Sequence, residues 1–316
     1  MKLTHLENNY INTELWDKCI SNSVNGCVFA YSWYLNQSCP GWNALVNENY
    51  SIVMPLPNTK LWGTPIIYKP TFSTHLGIFS TQPFDNEVLK NFIASIPNEY
   101  KHVQLVLDKF NIGKIEISKN FGFEQTFELD LISNYQQIKE LYNNFLKEKL
   151  EIIENSKLNM VGGIQLIDLL QLYVANPNFS SHKLNEAKLK QLRNIGLNCL
   201  RNNAGEIIGA YDSNNNLCAA AIFLSSHNKA HLVFHVQNKF ALKNFVLDFL
   251  VDYFIKRHSE KNLTLSVPKI CATGIDFQLF GAIPVSYPKL YINKLPVHLE
   301  IINFLTNNRM QNIIAF

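Results

Sequence analysis

Residues 206–293 carry an order of elements that few architectures accommodate. Two apolar runs, 207–211 and 217–224, are separated by Asp212-Ser-Asn-Asn-Asn216, whose side chains favour tight turns, so the pair reads as a hairpin. After a polar turn at 225–228, the stretch 231–237 alternates with period two and is rich in bulky and branched residues, which predicts a third antiparallel strand. Residues 240–258 place Phe245, Phe249, Asp252 and Lys256 on one row and Leu242, Val246, Leu250 and Phe254 on others, the spacing of one amphipathic helix. Leu263-Thr-Leu-Ser-Val267 ends at Pro268, which cannot continue a ladder, so it reads as a strand parallel to the third and reached through the helix. Residues 274–280 fit a short helix stopped at Gly281, where the lack of a β-carbon permits a left-handed turn, and 283–292 return as a last strand. The predicted class is α+β, mixed sheets with flanking helices.

At 316 residues the chain is long enough for two such units, and 47% hydrophobic against 17% charged residues is a globular balance. The first half reads similarly. Residues 42–46 and 51–56 form a hairpin pattern, 66–68 and 76–79 read as strands, 85–96 as a helix and 103–107 as a buried strand. A helix is predicted over 135–156, a strand over 159–164, and helices over 165–175, 185–201 and 295–306. Phe121-Gly122 and Phe280-Gly281 lie half a chain length apart, each before a last strand, the spacing of an internal duplication. The expected division is a lobe at 1–134, a connecting helix at 135–157 and a second lobe at 158–316.

A net charge of +3 without a long basic block leaves no electrostatic footprint demanding nucleic acid. The polar start and the absence of any run near the ~20 apolar residues of a membrane span predict a soluble, cytoplasmic protein. Six cysteines without a CxxC pair read as buried free thiols.

The order β-β-β-α-β-α-β with an FGA turn resembles the GNAT acyltransferases, and more closely their tandem, FemAB-like branch. The resemblance rests on Leu217-Cys-Ala-Ala-Ala-Ile-Phe-Leu224, Asn262-Leu-Thr-Leu265, Phe280-Gly-Ala282 with Tyr287, and Asn293-Lys-Leu-Pro296. In the first half it rests on Ser32-Trp33, Pro40-Gly-Trp42, Tyr50 with Val53-Met-Pro-Leu-Pro57, and Leu76-Gly-Ile-Phe79. It covers nearly the whole chain and implies two GNAT-like lobes in tandem. The implied reaction moves an acyl or aminoacyl group from acyl-CoA, or from an aminoacyl-tRNA, to an amine on a small molecule or peptide.

That chemistry needs a group to unload the amine's proton and a donor for the tetrahedral oxyanion. By resemblance the oxyanion donor is a backbone N–H where the central strand splays from its parallel neighbour, here His235-Val236-Gln237 facing Leu265-Ser-Val267. Coenzyme A would then engage Val236, Gln237, Asn238, Lys239 and Lys243 at the start of the following helix. His235, Gln237 and Tyr287 are the catalytic candidates; the alternative is that they are packed polar residues and core. His227, His231 and His235 recur every four residues, but the intervening Leu232, Val233 and Phe234 indicate a strand, and no metal site is expected. Asp248 and Asp252 are expected on the wet face of their helix. Three departures weigh toward a second reading, an inactive binding protein that keeps the fold. The 237–243 loop has no glycine, Ser266-Val-Pro-Lys269 replaces an acidic segment, and Phe277 stands near the place of a tyrosine.

Overall fold

The computed structural model describes residues 1–110, 120–154, 158–268 and 275–296. In chain order its elements are β1 (Leu3–Leu6), α1 (Thr13–Asn22), α2 (Ser32–Ser38), β2 (Asn43–Asn47), β3 (Ile52–Leu56), β4 (Asn58–Leu61), β5 (Thr64–Ile67), β6 (Phe79–Ser80), α3 (Asn86–Ala94), β7 (His102–Val106) and β8 (Phe121–Asp130). There follow α4 (Tyr135–Glu140), α5 (Asn144–Glu154), β9 (Asn159–Gly162), α6 (Leu166–Ala175), α7 (Glu186–Arg201), β10 (Gly205–Tyr211), β11 (Leu217–Ser226), β12 (Lys229–Gln237), α8 (Lys239–Lys243), α9 (Val246–His258), β13 (Thr264–Pro268) and β14 (Ile283–Asn293). The helix predicted over 295–306, Lys269 and Cys271 lie outside the described residues, apart from Leu295 and Pro296.

Asparagine does much of the punctuation. Helices α1, α4, α5, α7 and α8 each open on an Asn whose Oδ1 accepts the N–H three residues on, at 2.8–3.1 Å. One of these caps corrects the single helix predicted over 135–156. Asn143 accepts from Leu146 N–H and gives its own N–H to Leu279 O at 2.9 Å, so α4 stops and α5 restarts. The helix predicted over 240–258 is likewise two. Phe245 takes a left-handed φ of 55° between α8 and α9, and its ring lies edge-on to Phe145 with the Lys149 ammonium 5.0 Å from the ring centre. Tertiary contact has overridden helical periodicity there. The strand predicted over 76–79 shrinks to Phe79–Ser80.

Two compact units result. The first holds Met1–Glu124, Asn185–Gln191 and the described residues from Ser286 on; the second holds Gln125–Leu184 and Leu192–Val285. In the first, β1-β2-β3-β6 form one antiparallel sheet, and β4-β5-β7-β14 run alongside one another with β5 and β7 parallel. Its core includes Trp16 and Trp42, ring centres 4.7 Å apart, each with its indole N–H donated, to Ala30 O and to Asn36 Oδ1.

The second unit has the strand order β8-β13-β12-β11-β10-β9, with β12 and β13 parallel and the other neighbours antiparallel. Helix α9 covers one face through Val246, Leu250 and Phe254, packed on Ala219, Ala221, Phe223 and Leu232. Helix α6 packs against β11 and β12, with Tyr173 edge-on to Phe234. Phe223, Phe254 and His258 stack in succession at 4.0 and 4.3 Å, and the stack ends at Glu206, whose carboxylate lies 2.5 Å from His258 Nε2 and 3.3 Å from Arg257.

Gly281 turns the chain into β14 at φ 76°, as the sequence predicts, and a Cβ there would meet Leu141 Cβ at 2.5 Å and Leu141 O at 2.9 Å. Gly281→Ala is therefore expected to lower stability by about 2–4 kcal/mol in urea unfolding. Gly122 is different. It lies inside β8 without a positive φ, so Phe121-Gly122 begins a strand whereas Phe280-Gly281 precedes one, and the two FG dipeptides do not share a turn.

Candidate active site

The parallel ladder of β12 and β13 lasts for three pairs, Lys229–Thr264, Ala230–Leu265 and His231–Ser266. Beyond it β13 stays with β8 to Pro268, while β12 stays with β11 to Gln237. A register shift lies just past the last pair: Ile222 opposes Phe234 but Phe223 opposes Leu232, so Val233 is an extra residue in β12. Such a bulge bends and twists its strand, here away from β13. The two strands part after His231, but Leu265 and Ser266 pair with Ala230 and His231, so His235-Val236-Gln237 lie beyond the ladder and do not face Leu265–Val267 as the resemblance implies.

The bulge also sets which side chains share a face. His231 pairs with Leu224 and His235 with Ala221, an odd step apart, so the two histidines stand on opposite faces. His235 and Gln237, opposite Ala221 and Ala219, stand on the α9 face. On the other face His231, Ser266 and Glu128 form one cross-strand row, with Lys229 3.3 Å from the Glu128 carboxylate.

His235 is fully buried, and neither ring nitrogen has a hydrogen-bond partner among the described residues; its cross-strand neighbour is the methyl group of Ala221. Burial, with His182 nearby as the lesser cause, pushes the imidazole down to about 3, so the ring is neutral at ordinary pH. Ser266 Oγ and Thr126 Oγ1 are also buried without a partner among the described residues. Neither has a sequence signature, since each becomes notable only through its strand neighbours.

The edge of β12 exposed by the splay is taken by the chain itself. Ser181 N–H donates to His235 O at 2.9 Å, His235 N–H donates to Ser181 Oγ at 3.1 Å, and Ser180 bridges Val236 in antiparallel sense. His182 lies flat against Phe234, and Tyr173 Oη brackets the far end, accepting from Leu184 N–H at 2.8 Å.

The other predicted residues fall as follows. Val236 is buried in β12, Asn238 caps α8, and Lys239 and Lys243 are exposed on that five-residue helix. Tyr287 belongs to the first unit, fully buried, its ring 4.9 Å from that of His75. His75 in turn lies 3.3 Å from the Asp108 carboxylate and 2.9 Å from Thr74 Oγ1. Phe277 is buried in a short 3₁₀ turn. The prediction that Asp248 and Asp252 are solvated is wrong: both are buried, and Asp252 accepts hydrogen bonds from Tyr135 at 2.8 Å and Tyr142 at 2.9 Å. Helices α4 and α5 flank Tyr142 and cover what periodicity alone leaves wet.

No protein-family model and no curated protein sequence matches the chain. Solved structures do. FemX superposes with a TM-score of 0.63 at 10% identity, over 95% of this chain and 100% of that one. A conserved protein of unknown function from Bacteroides thetaiotaomicron gives 0.57 at 9%, over 89% and 97% of the two chains. L-PGS from Bacillus licheniformis gives 0.50 at 8%, over 83% and 87%. At such identities the likeness speaks for architecture. The chain has the fold of two GNAT-like lobes in tandem.

Proposed function

We propose that the protein is a cytoplasmic N-acyltransferase of the FemAB-like kind, moving an acyl or aminoacyl group onto an amine of a small molecule or peptide. The observation that supports this reading best is the parting of β12 from β13 beside a neutral imidazole without a hydrogen-bond partner among the described residues. A base with a pKa near 3 is a poor store for a proton taken from an ammonium. His235 therefore orients an amine that arrives already neutral, by accepting a hydrogen bond from it, and Gln237 on the same face adds a second polar contact.

Coenzyme A does not fit these residues. Its edge position on β12 holds Ser180 and Ser181, the 237–243 loop lacks glycine, and Asn238 already caps Ala241 N–H at 2.8 Å. No step is assigned to it. An aminoacyl ester, as on a charged tRNA, is the donor this reading keeps. The same filled edge favours the second reading, a GNAT-like binding protein without turnover.

The two readings separate on one variant. With tRNA carrying labelled amino acids as donor and a lysine-containing tripeptide as acceptor, the native protein should form labelled peptide. His235→Phe should lower kcat/KM by about 10²-fold or more, as misplacement of a reacting group does. Label transfer that His235→Phe leaves unchanged removes His235 from the reaction, and no transfer at all supports the binding reading.

A further inference from the structure

We infer that the second unit holds a binding pocket for a small phosphate monoester at the end of its sheet away from His235, between the last turn of α9 and the start of β13. The inference does not depend on the transferase reading. The pocket measures about 420 Å³, within the range of small-molecule sites, and Phe223, Phe254 and Leu263 form its apolar wall. On β11, Ser225 at the pocket pairs with Ala230, whereas Ala221 pairs with His235. Four residues of strand rise, about 13 Å, therefore separate the two places.

The one carboxylate at the rim is already occupied. Glu206 holds Arg257 Nη1 at 3.3 Å and His258 Nε2 at 2.5 Å, one on each oxygen. Burial opposes its ionisation, yet His258, Arg257 and Lys261 together hold its carboxyl below the ordinary carboxylate value. Lys261 Nζ lies 3.3 Å from His258 Nδ1, its one hydrogen bond among the described residues. An ammonium can only donate, which puts the imidazole proton on Nε2, toward Glu206, and leaves two Lys261 N–H groups to be used. Two cations then face one carboxylate. Arg257 is seated by sequence as well as by charge, since a Cβ at Gly162 would occupy the place of its Nη1. Cations in the last turn of α9 also offset the helix dipole, but Lys261 lies beyond the helix, where that effect has fallen off.

The neutral groups on the wall point to the same ligand. The Ser225 hydroxyl and the Asn262 carboxamide both line the pocket and make no hydrogen bond among the described residues. An ammonium, a hydroxyl and a carboxamide with unused donors, set beside an apolar wall, suit an anion of several oxygens carried on a small hydrophobic group. A phosphate monoester brings three strong acceptor oxygens and a charge of about −1.5 to −2 at pH 7, which a carboxylate does not match.

The test is calorimetric titration of the full chain with phenyl phosphate, benzoate and phenol, with amide chemical shifts followed in parallel. Phenyl phosphate should bind about tenfold more tightly than benzoate, more weakly as salt is added, and phenol should not bind. The amides of Ser225 and Leu263 should move and those of His235 and Gln237 should not. Lys261→Ala, at an exposed residue with one hydrogen bond, keeps the fold and should weaken phenyl phosphate by about tenfold or more. Glu206→Gln, which removes the negative charge beside the phosphate, should tighten it. No binding at millimolar phenyl phosphate, binding that Lys261→Ala leaves unchanged, or benzoate bound as tightly overturns the inference. Neither result involves acyl transfer, so the transferase reading stands or falls separately.

Discussion

Lowering the pH from 7 to 5 should remove about 2 kcal/mol from the stability of the second unit through His235 alone. The folded-state pKa, depressed to about 3 by burial, lies below the ordinary 6.5. Above 6.5 the ring is neutral in both states and contributes no pH dependence. As the pH falls below 6.5 the unfolded chain gains a proton that the folded chain refuses, so stability drops until the pH approaches 3. His235→Phe keeps an aromatic ring and removes two buried nitrogens that have no partner among the described residues, so at pH 7 it should be as stable as the native protein or more so. Urea unfolding of both proteins at pH 7.5, 6 and 5 is the check. His102, in the first unit, is also depressed by burial, which is why the difference between variant and native protein carries the result. Equal slopes for the two proteins would mean that His235 is not buried neutral.

Two carboxylates one turn apart on α9 should respond in opposite directions. Asp252→Ala leaves the hydroxyls of Tyr135 and Tyr142 without their acceptor and should lower stability by about 2–4 kcal/mol. Among the described residues Asp248 has no such side-chain donors. Burial pushes its carboxyl up to about 7, a backbone N–H bond opposes this, and Asp276 nearby adds to it. A raised carboxyl pKa means that the folded state resists ionisation, so the group destabilises the fold increasingly as pH rises from about 4 to about 7. Asp248→Asn should therefore gain about 3–4 kcal/mol at pH 8 and nothing at pH 4. Chemical denaturation at both pH values reads this directly. A gain that does not depend on pH would assign the effect to packing.

What was legible in the sequence is what local pattern controls. The alternation of 231–237, the apolar face of 246–258 and the glycine after Phe280 specify β12, α9 and the turn before β14, and with them the GNAT-like order. The resemblance set His235–Gln237 opposite Leu265–Val267, whereas the register pairs those residues with Ala230 and His231 and the strands part sooner. Val233 is an ordinary strand residue, and only its pairing with β11 makes it a bulge. Asp248 and Asp252 misled for the same reason, since a helix row looks solvated until another element covers it, here with Tyr135 and Tyr142. The contacts of Ser180 and Ser181 with β12 have no periodicity behind them, since Ser181 and His235 are 54 residues apart. Tyr287 was found as a residue but not as a neighbour of His75, since the two come from opposite ends of the chain.

The proposed function requires acyl transfer to an amine from a donor that does not lie along β12. The most direct measurement is a paired transfer assay on the full chain, with tRNA charged with labelled amino acids in one arm, labelled acetyl-CoA in the other, and the same amine acceptor in both. Label should reach the acceptor from the aminoacyl ester and not from acetyl-CoA. Transfer from acetyl-CoA would contradict the closed edge, and silence in both arms would contradict catalysis.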